Sequence, residues 1–202
     1  MKSCDRGLEN AARGLVSRNI GIISKLRLSI YSSTEQIYYN LIYPYLSFAV
    51  ISWGSAYKTH LQKLQSKQNT VLRLLFFFAT TSGGYTESAL PFLNLLDILT
   101  VDNVYHFHAL IFTHMWHKGF LPKVFDSLFQ YAKSRHTYNT RYASKQNFCR
   151  QRVRTNTGKQ MFSYNLRPLT SGMISGPLYL KDLKTFSIAK EVKQHLLLKK
   201  YC

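Results

Sequence analysis

Between Tyr138 and Asn165 the chain reads "YNTRYASKQNFCRQRVRTNTGKQMFSYN", in which Arg141, Lys145, Arg150, Arg152, Arg154 and Lys159 alternate with Tyr138, Tyr142, Phe148, Phe162 and Tyr164. No carboxylate interrupts them, and the gap in acids extends from Ser127 to Lys181. Lysine and arginine neutralise phosphates without reading bases, while exposed aromatic rings stack on single-stranded bases. The interleaving makes Tyr138, Arg141, Tyr142, Lys145, Arg150, Arg152, Arg154 and Lys159 the candidate nucleic-acid-binding residues. The competing assignment is that Tyr138, Phe148, Phe162 and Tyr164 only dock this segment on the rest of the fold. Whole-chain charge agrees with a polyanionic partner. In 202 residues, 27 lysines and arginines face 9 acids, a net charge of +18, and such a field draws in nucleic acid, anionic lipid or an acidic protein.

Other chemistry is poorly supported. Two-metal phosphoryl or nucleotidyl transfer needs converging carboxylates, yet the acids Asp5, Glu9, Glu35, Glu87, Asp97, Asp102, Asp126, Asp182 and Glu191 are scattered. Gly158-Lys159 is not a phosphate-cradling loop, because Val153 stands where the first glycine belongs and Gln160 follows the lysine. Four histidines crowd "VYHFHALIFTHMWHKG". On a helix His106 and His117 share a face but lie about 16 Å apart, too far to hold one ion, so only His114 and His117 could co-ligate. His108 falls with Val104, Ile111 and Met115 and reads as a buried, hydrogen-bonded imidazole. Cys4, Cys149 and Cys202 suit neither a disulfide framework nor a metal knuckle, and Cys149 has basic neighbours but no identifiable general base. We expect no enzyme, catalytic residue, metal site, cofactor or small-molecule substrate.

The elements that must carry these residues read as helices. Ile20, Ile23 and Leu26 mark a first helix from about Val16 to Ser29. "SSTEQ" then caps an apolar helix running to Trp53, with a kink expected at Pro44. Residues 36–57 carry no charge over a bilayer-sized length, but Asn40, Pro44 and the tyrosines favour a helix buried on all sides over a membrane span. Leu61, Leu64, Val71, Leu72 and Leu75 define a third helix with Lys63, Lys67 and Arg73 outside, stopped by "SGG". A short helix near Glu87–Leu93, one from Val101 to Lys118 capped by Thr100, and a short piece near Val124–Tyr131 complete a helical body, residues 1–131. From 132 to 202 follows a basic, partly extended module. In it "TNTGK" reads as the turn of a short β-hairpin with arms near Asn147–Arg154 and Gln160–Leu166. A final helix uses Phe186, Ala189, Val192 and Leu196. The fold class is thus mainly α. The start, "MKSCDRGLENAARGLVSRN", does not read as a secretory signal, and a cytoplasmic or nuclear setting is expected.

Six phrases in order, "SRNIGIISKLR", "YYNLIYPYLSFAVISWGSAYKTHLQKLQSKQNTVLRLL", "LPFLNLLDIL", "HKGFLPKVFDSLF", "HTYNTRYAS" and "RTNTGKQMFSYN", span roughly Val16 to Asn165. Together they resemble the thumb and post-polymerase region of non-LTR retrotransposon reverse transcriptases of the jockey-like and related animal groups. The resemblance implies a part that grips template and primer in its parent. Binding roles would pass to Tyr138, Asn139, Thr140 and Arg141, and to Arg152, Arg154, Thr155, Asn156, Gly158 and Lys159. The paired aspartates of the polymerase palm and the endonuclease domain have no counterpart here. After "FSYN" the chain reads "LRPLTSGMISGPLYLKD", where such relatives carry a Trp-Asn step. The expectation is a non-catalytic fragment of an RNA-directed DNA polymerase polyprotein with affinity for RNA or DNA, single-stranded or template-primer. The alternative is a helical interaction module or an inert one, from a decayed mobile element.

Overall fold

The computed structural model describes residues 2–26, 34–76, 89–129, 131–135, 138, 148–149, 152–165 and 185–198. Among these the fold is mainly helical, without a strand or sheet, and the β contact is an isolated antiparallel bridge between Tyr131 and Phe148. Packing divides the chain into two units, Met1–Tyr105 and His106–Lys200. That division falls inside a helix, whereas the change in composition lies near residue 132.

In the first unit, α1 (Lys2–Leu26) begins well before Val16. Good helix formers at Ala11, Ala12 and Leu15 extend it, and Ala12, Val16, Asn19 and Ile23 form one buried line at three- and four-residue spacing. The Asn19 side-chain amide donates to the Leu41 carbonyl, and Ser17 Oγ accepts from Lys67 Nζ. The expected single helix to Trp53 is instead three: α2 (Thr34–Leu41), α3 (Tyr43–Ser47) and α4 (Val50–Trp53). Pro44 lies in the first turn of α3, where its missing N–H costs nothing and its fixed φ suits a helix start. It therefore starts a new helix instead of kinking an old one. Ala49, left-handed at φ 48°, makes the second break. Burial continues across both breaks at Tyr38, Ile42, Leu46, Val50 and Trp53. Full burial is confined to that stripe; Tyr39 and Tyr43 are half-buried and Phe48 is 69% exposed, so burial on all sides is corrected to burial on one.

Helix α5 (Lys58–Phe76) buries Leu64, Gln68, Val71, Leu72 and Leu75 as its apolar period requires, and it packs chiefly on α1. Gln68 is the exception in that stripe. Its Nε2 donates to Tyr38 Oη at 2.7 Å and to the Leu99 carbonyl at 2.8 Å. Next to it, Gln65 Oε1 accepts from Val101 N at 2.9 Å. Helix α6 (Leu90–Leu95) starts on Pro91, and its Phe92 stacks on Phe76 with ring centroids 4.6 Å apart.

Thr100 Oγ1 accepts from Asn103 N at 3.4 Å at the start of α7 (Val101–His117). At its end Gly119 N donates to Trp116 O and Phe120 N to Met115 O. This paired closure needs a left-handed residue, supplied by Gly119 at φ 75°. The second unit continues with a 3-10 helix (Lys123–Leu128), α8 (Ala132–Arg135), α9 (Asn156–Lys159), one helical turn at 162–165 and α10 (Thr185–Leu198). Val192 and Leu196 are buried on α10 as expected. Among the described residues no helix is long and apolar enough to cross a membrane.

Candidate nucleic-acid interface

The basic segment is positioned by an aromatic cluster of the second unit. Phe129 and Phe148 are buried at its centre, with Phe112, Trp116, Phe125, Tyr131 and Phe162 against them. Trp116 stacks on Phe129 at 4.5 Å, and Tyr131 stacks on Phe148 at 5.1 Å, both with planes 14° apart. Offset and tilted ring pairs add to the gain from burial itself. Two polar tips of the cluster are engaged as well. Trp116 Nε1 donates to Asp126 Oδ1 at 2.8 Å, and Tyr131 Oη lies 3.1 Å from His117 Nδ1. The Tyr131–Phe148 bridge holds the basic segment at Phe148. Phe162, edge-on to Phe112 at 5.6 Å and to Phe129 at 6.1 Å, holds its end.

Between the anchors Phe148 and Phe162 lie Arg152, Arg154 and Lys159, all exposed. Residues 152–154 have no helical or strand pairing, and Thr155 is extended at φ −102°, ψ 151°. There the chain turns into α9. Thr155 Oγ1 accepts from Gly158 N at 3.1 Å, the usual manner in which a threonine closes a helix start. A Cβ on Gly158 would stand 2.9 Å from Val153 Cβ, so the turn closes this tightly only with glycine. Lys159 Nζ reaches Asn156 Oδ1 at 3.5 Å, and Asn165 Nδ2 donates to the Lys159 carbonyl at 3.1 Å. The expected hairpin is thereby corrected among the described residues: "TNTGK" is a capped helical turn, and 162–165, assigned to the second arm, is helical. Local capping by Thr155 and the docking of Phe162 outweigh the turn propensity of Asn and Gly.

Of the candidate binding residues, Tyr138, Arg152, Arg154 and Lys159 are exposed, Tyr138 to 83%. Arg141, Tyr142, Lys145 and Arg150 lie outside the described residues. The other aromatics of the segment divide differently. Phe148 is buried and Phe162 is packed in the cluster, while Tyr164 is half-buried. Docking thus claims two of the rings weighed for stacking, and Tyr138 is left presented to solvent. Reading the sequence missed the cluster that does this. Its signal was present in the four-residue spacing of Phe112 with Trp116 and of Phe125 with Phe129.

The histidines also sort differently than expected. His114 is fully buried, whereas His108 is half-buried, and desolvation lowers the His108 pKa from its usual value. Along α7 the buried side changes from Val101, Val104 and Tyr105 to Ala109, Leu110, Thr113 and His114. A single continuous stripe, assumed from sequence, places His108 inside; the buried side of α7 turns along its length and takes in His114 instead. Among the described residues no group of three or more His, Cys, Asp or Glu is placed to hold a metal ion. No family model, curated protein or solved structure matches this chain.

Proposed function

We propose that these 202 residues form a non-catalytic, nucleic-acid-binding region of the kind found after the polymerase core of non-LTR retrotransposon reverse transcriptases. Its ligand is RNA or DNA with an accessible single strand. The reading is supported chiefly by one observation. Arg152, Arg154 and Lys159 are exposed between two packed aromatics, Phe148 and Phe162, in a stretch where Ser127 to Lys181 offers no carboxylate to neutralise them. Tyr138 adds a solvent-facing ring. Phosphate contacts dominate such binding, and one stacked base per ring adds affinity without sequence preference.

The test is the salt dependence of binding to a single-stranded RNA oligonucleotide. Replacing Arg152 and Arg154 together by Gln makes the slope of log K against log salt shallower by about 1.4, that is about 0.7 per lost phosphate contact. Both side chains are exposed, so the helical circular dichroism of the variant remains that of the parent. An unchanged slope with the fold intact refutes the assignment and favours an interaction module or an inert one.

A further inference from the structure

We propose that Thr155 is a phosphoacceptor site for a basophilic serine/threonine kinase, and that its phosphate neutralises the cationic segment that carries it. The consequence for nucleic acid rests on the binding role proposed above; the modification itself does not. The sequence "RQRVRTNT" places arginines at 150, 152 and 154. Counting back from Thr155, arginine occupies the fifth and third preceding positions. Counting back from Thr157, the same holds. Nowhere else in the chain do two arginines stand two residues apart, so this spacing, which acidic pockets of basophilic kinases select, is confined to these two threonines.

Backbone and exposure then separate the two. Protein kinases accept the target hydroxyl on an extended strand of substrate, and Thr155 is extended, exposed and preceded by the unpaired residues 152–154. Thr157 is half-buried inside α9. Thr155 Oγ1 accepts a hydrogen bond from Gly158 N and its own O–H stays available. In the transfer, that oxygen attacks the γ-phosphorus of magnesium-bound ATP. Its proton passes to the kinase's catalytic carboxylate, the new P–O bond forms, and the bond to ADP breaks as ADP leaves.

The product carries roughly −1.5 to −2 charges at neutral pH. Arg152 and Arg154 precede it in the chain and Lys159 follows it, all exposed and without an acidic residue from Ser127 to Lys181. Against the four cations Arg150, Arg152, Arg154 and Lys159, the phosphate cancels up to about half of the local positive charge. A surface that binds through phosphate contacts holds its ligand more weakly for that reason alone.

The full-length chain is incubated with magnesium-ATP and the catalytic domain of a kinase selecting arginine at the third and fifth positions before its target. Sites are mapped by fragment-ion mass spectrometry. The expected result is stoichiometric phosphate at Thr155, lost in Thr155→Asn, which retains a capping oxygen, and retained in Thr155→Ser. Arg152→Gln slows incorporation about tenfold or more, because the kinase pocket built for the guanidinium is left unpaired. Phosphate on Thr157 or elsewhere with Thr155 unmodified overturns the proposal, as does equal incorporation in Arg152→Gln. In the second arm, phosphorylated protein binds single-stranded RNA with a salt slope shallower by about 1.4, from two cancelled charges. An unchanged slope in the phosphorylated protein overturns the neutralising effect. If the unmodified protein shows no salt-dependent RNA binding, the functional reading fails, and the mass spectrum alone decides the phosphoacceptor.

Discussion

Tyr138 and Phe148 stand ten residues apart in one basic stretch and have opposite surroundings, because one ring is solvated and the other is packed between Trp116, Phe129 and Tyr131. Tyr138→Ala should weaken RNA binding by about 1 to 3 kcal/mol through lost stacking, with no change in salt slope. Its melting temperature should match the parent. Phe148→Ala should instead cost about 3 to 5 kcal/mol of stability as a core truncation, read by chemical denaturation. The Gln68 amide is the polar counterpart of such a core residue. Gln68→Ala leaves the buried Leu99 carbonyl without its donor, at ~1 to 3 kcal/mol for the orphaned group. Titration makes a further residue-level demand. Burial pushes the Tyr105 hydroxyl up to about 12 and raises Tyr38 as well. A folded pKa above the unfolded value of 10.0 means that the stabilising contribution is complete below pH 10 and lost as pH rises toward 12. An alkaline titration followed by tyrosinate absorbance and circular dichroism should show ionisation of these two rings coincident with unfolding. For His108, whose pKa burial lowers, the sign reverses: stability falls as pH drops below the unfolded value of 6.5.

At the scale of elements, the breaks between helices matter as much as the helices. Ala49 holds φ 48° at an exposed position between α3 and α4. A left-handed alanine costs roughly 1 kcal/mol relative to glycine, offset in part by glycine's freer unfolded state. Ala49→Gly should therefore raise the denaturation midpoint slightly, by up to about 1 kcal/mol in stability; a lower midpoint would show that the strain is absent. Gly119→Ala, at φ 75°, should move the other way by about 1 kcal/mol, since it burdens the closure of α7. The same closure leads the chain from Trp116 toward the 3-10 helix, whose Phe125 and following Phe129 complete the aromatic cluster.

For the whole molecule, the net charge of +18 sets behaviour that no single residue controls. Affinity for any single-stranded polynucleotide should fall steeply between low and physiological salt, in proportion to the phosphates contacted. A purified chain of the proposed kind should not extend a primer on RNA or DNA with any divalent metal, because catalysis of that reaction needs paired carboxylates on two ions. Template-dependent extension above a mock preparation would overturn the non-catalytic reading.

Helix existence was legible from sequence wherever local physics decides it. The period of Leu64, Val71, Leu72 and Leu75 defines α5, and Thr100 with Gly119 brackets α7, because period, cap and left-handed closure involve residues within a few positions of one another. The cationic character of residues 138–159 is likewise composition alone. Where the outcome depended on residues distant in the chain, tertiary packing decided it. Tyr38, Ile42, Leu46 and Val50 keep one buried line across two helix breaks because that side is covered, which hydropathy along an uncharged run does not reveal. Phe162 makes 162–165 part of a helical turn by packing on Phe112 and Phe129, some fifty and thirty residues earlier. Aromatic residues have the same composition signature whether they stack on a base or on each other. Burial by partners from elsewhere in the sequence separated Phe148 and Phe162 from Tyr138, and left exposed the ring and the arginines on which the proposed binding depends.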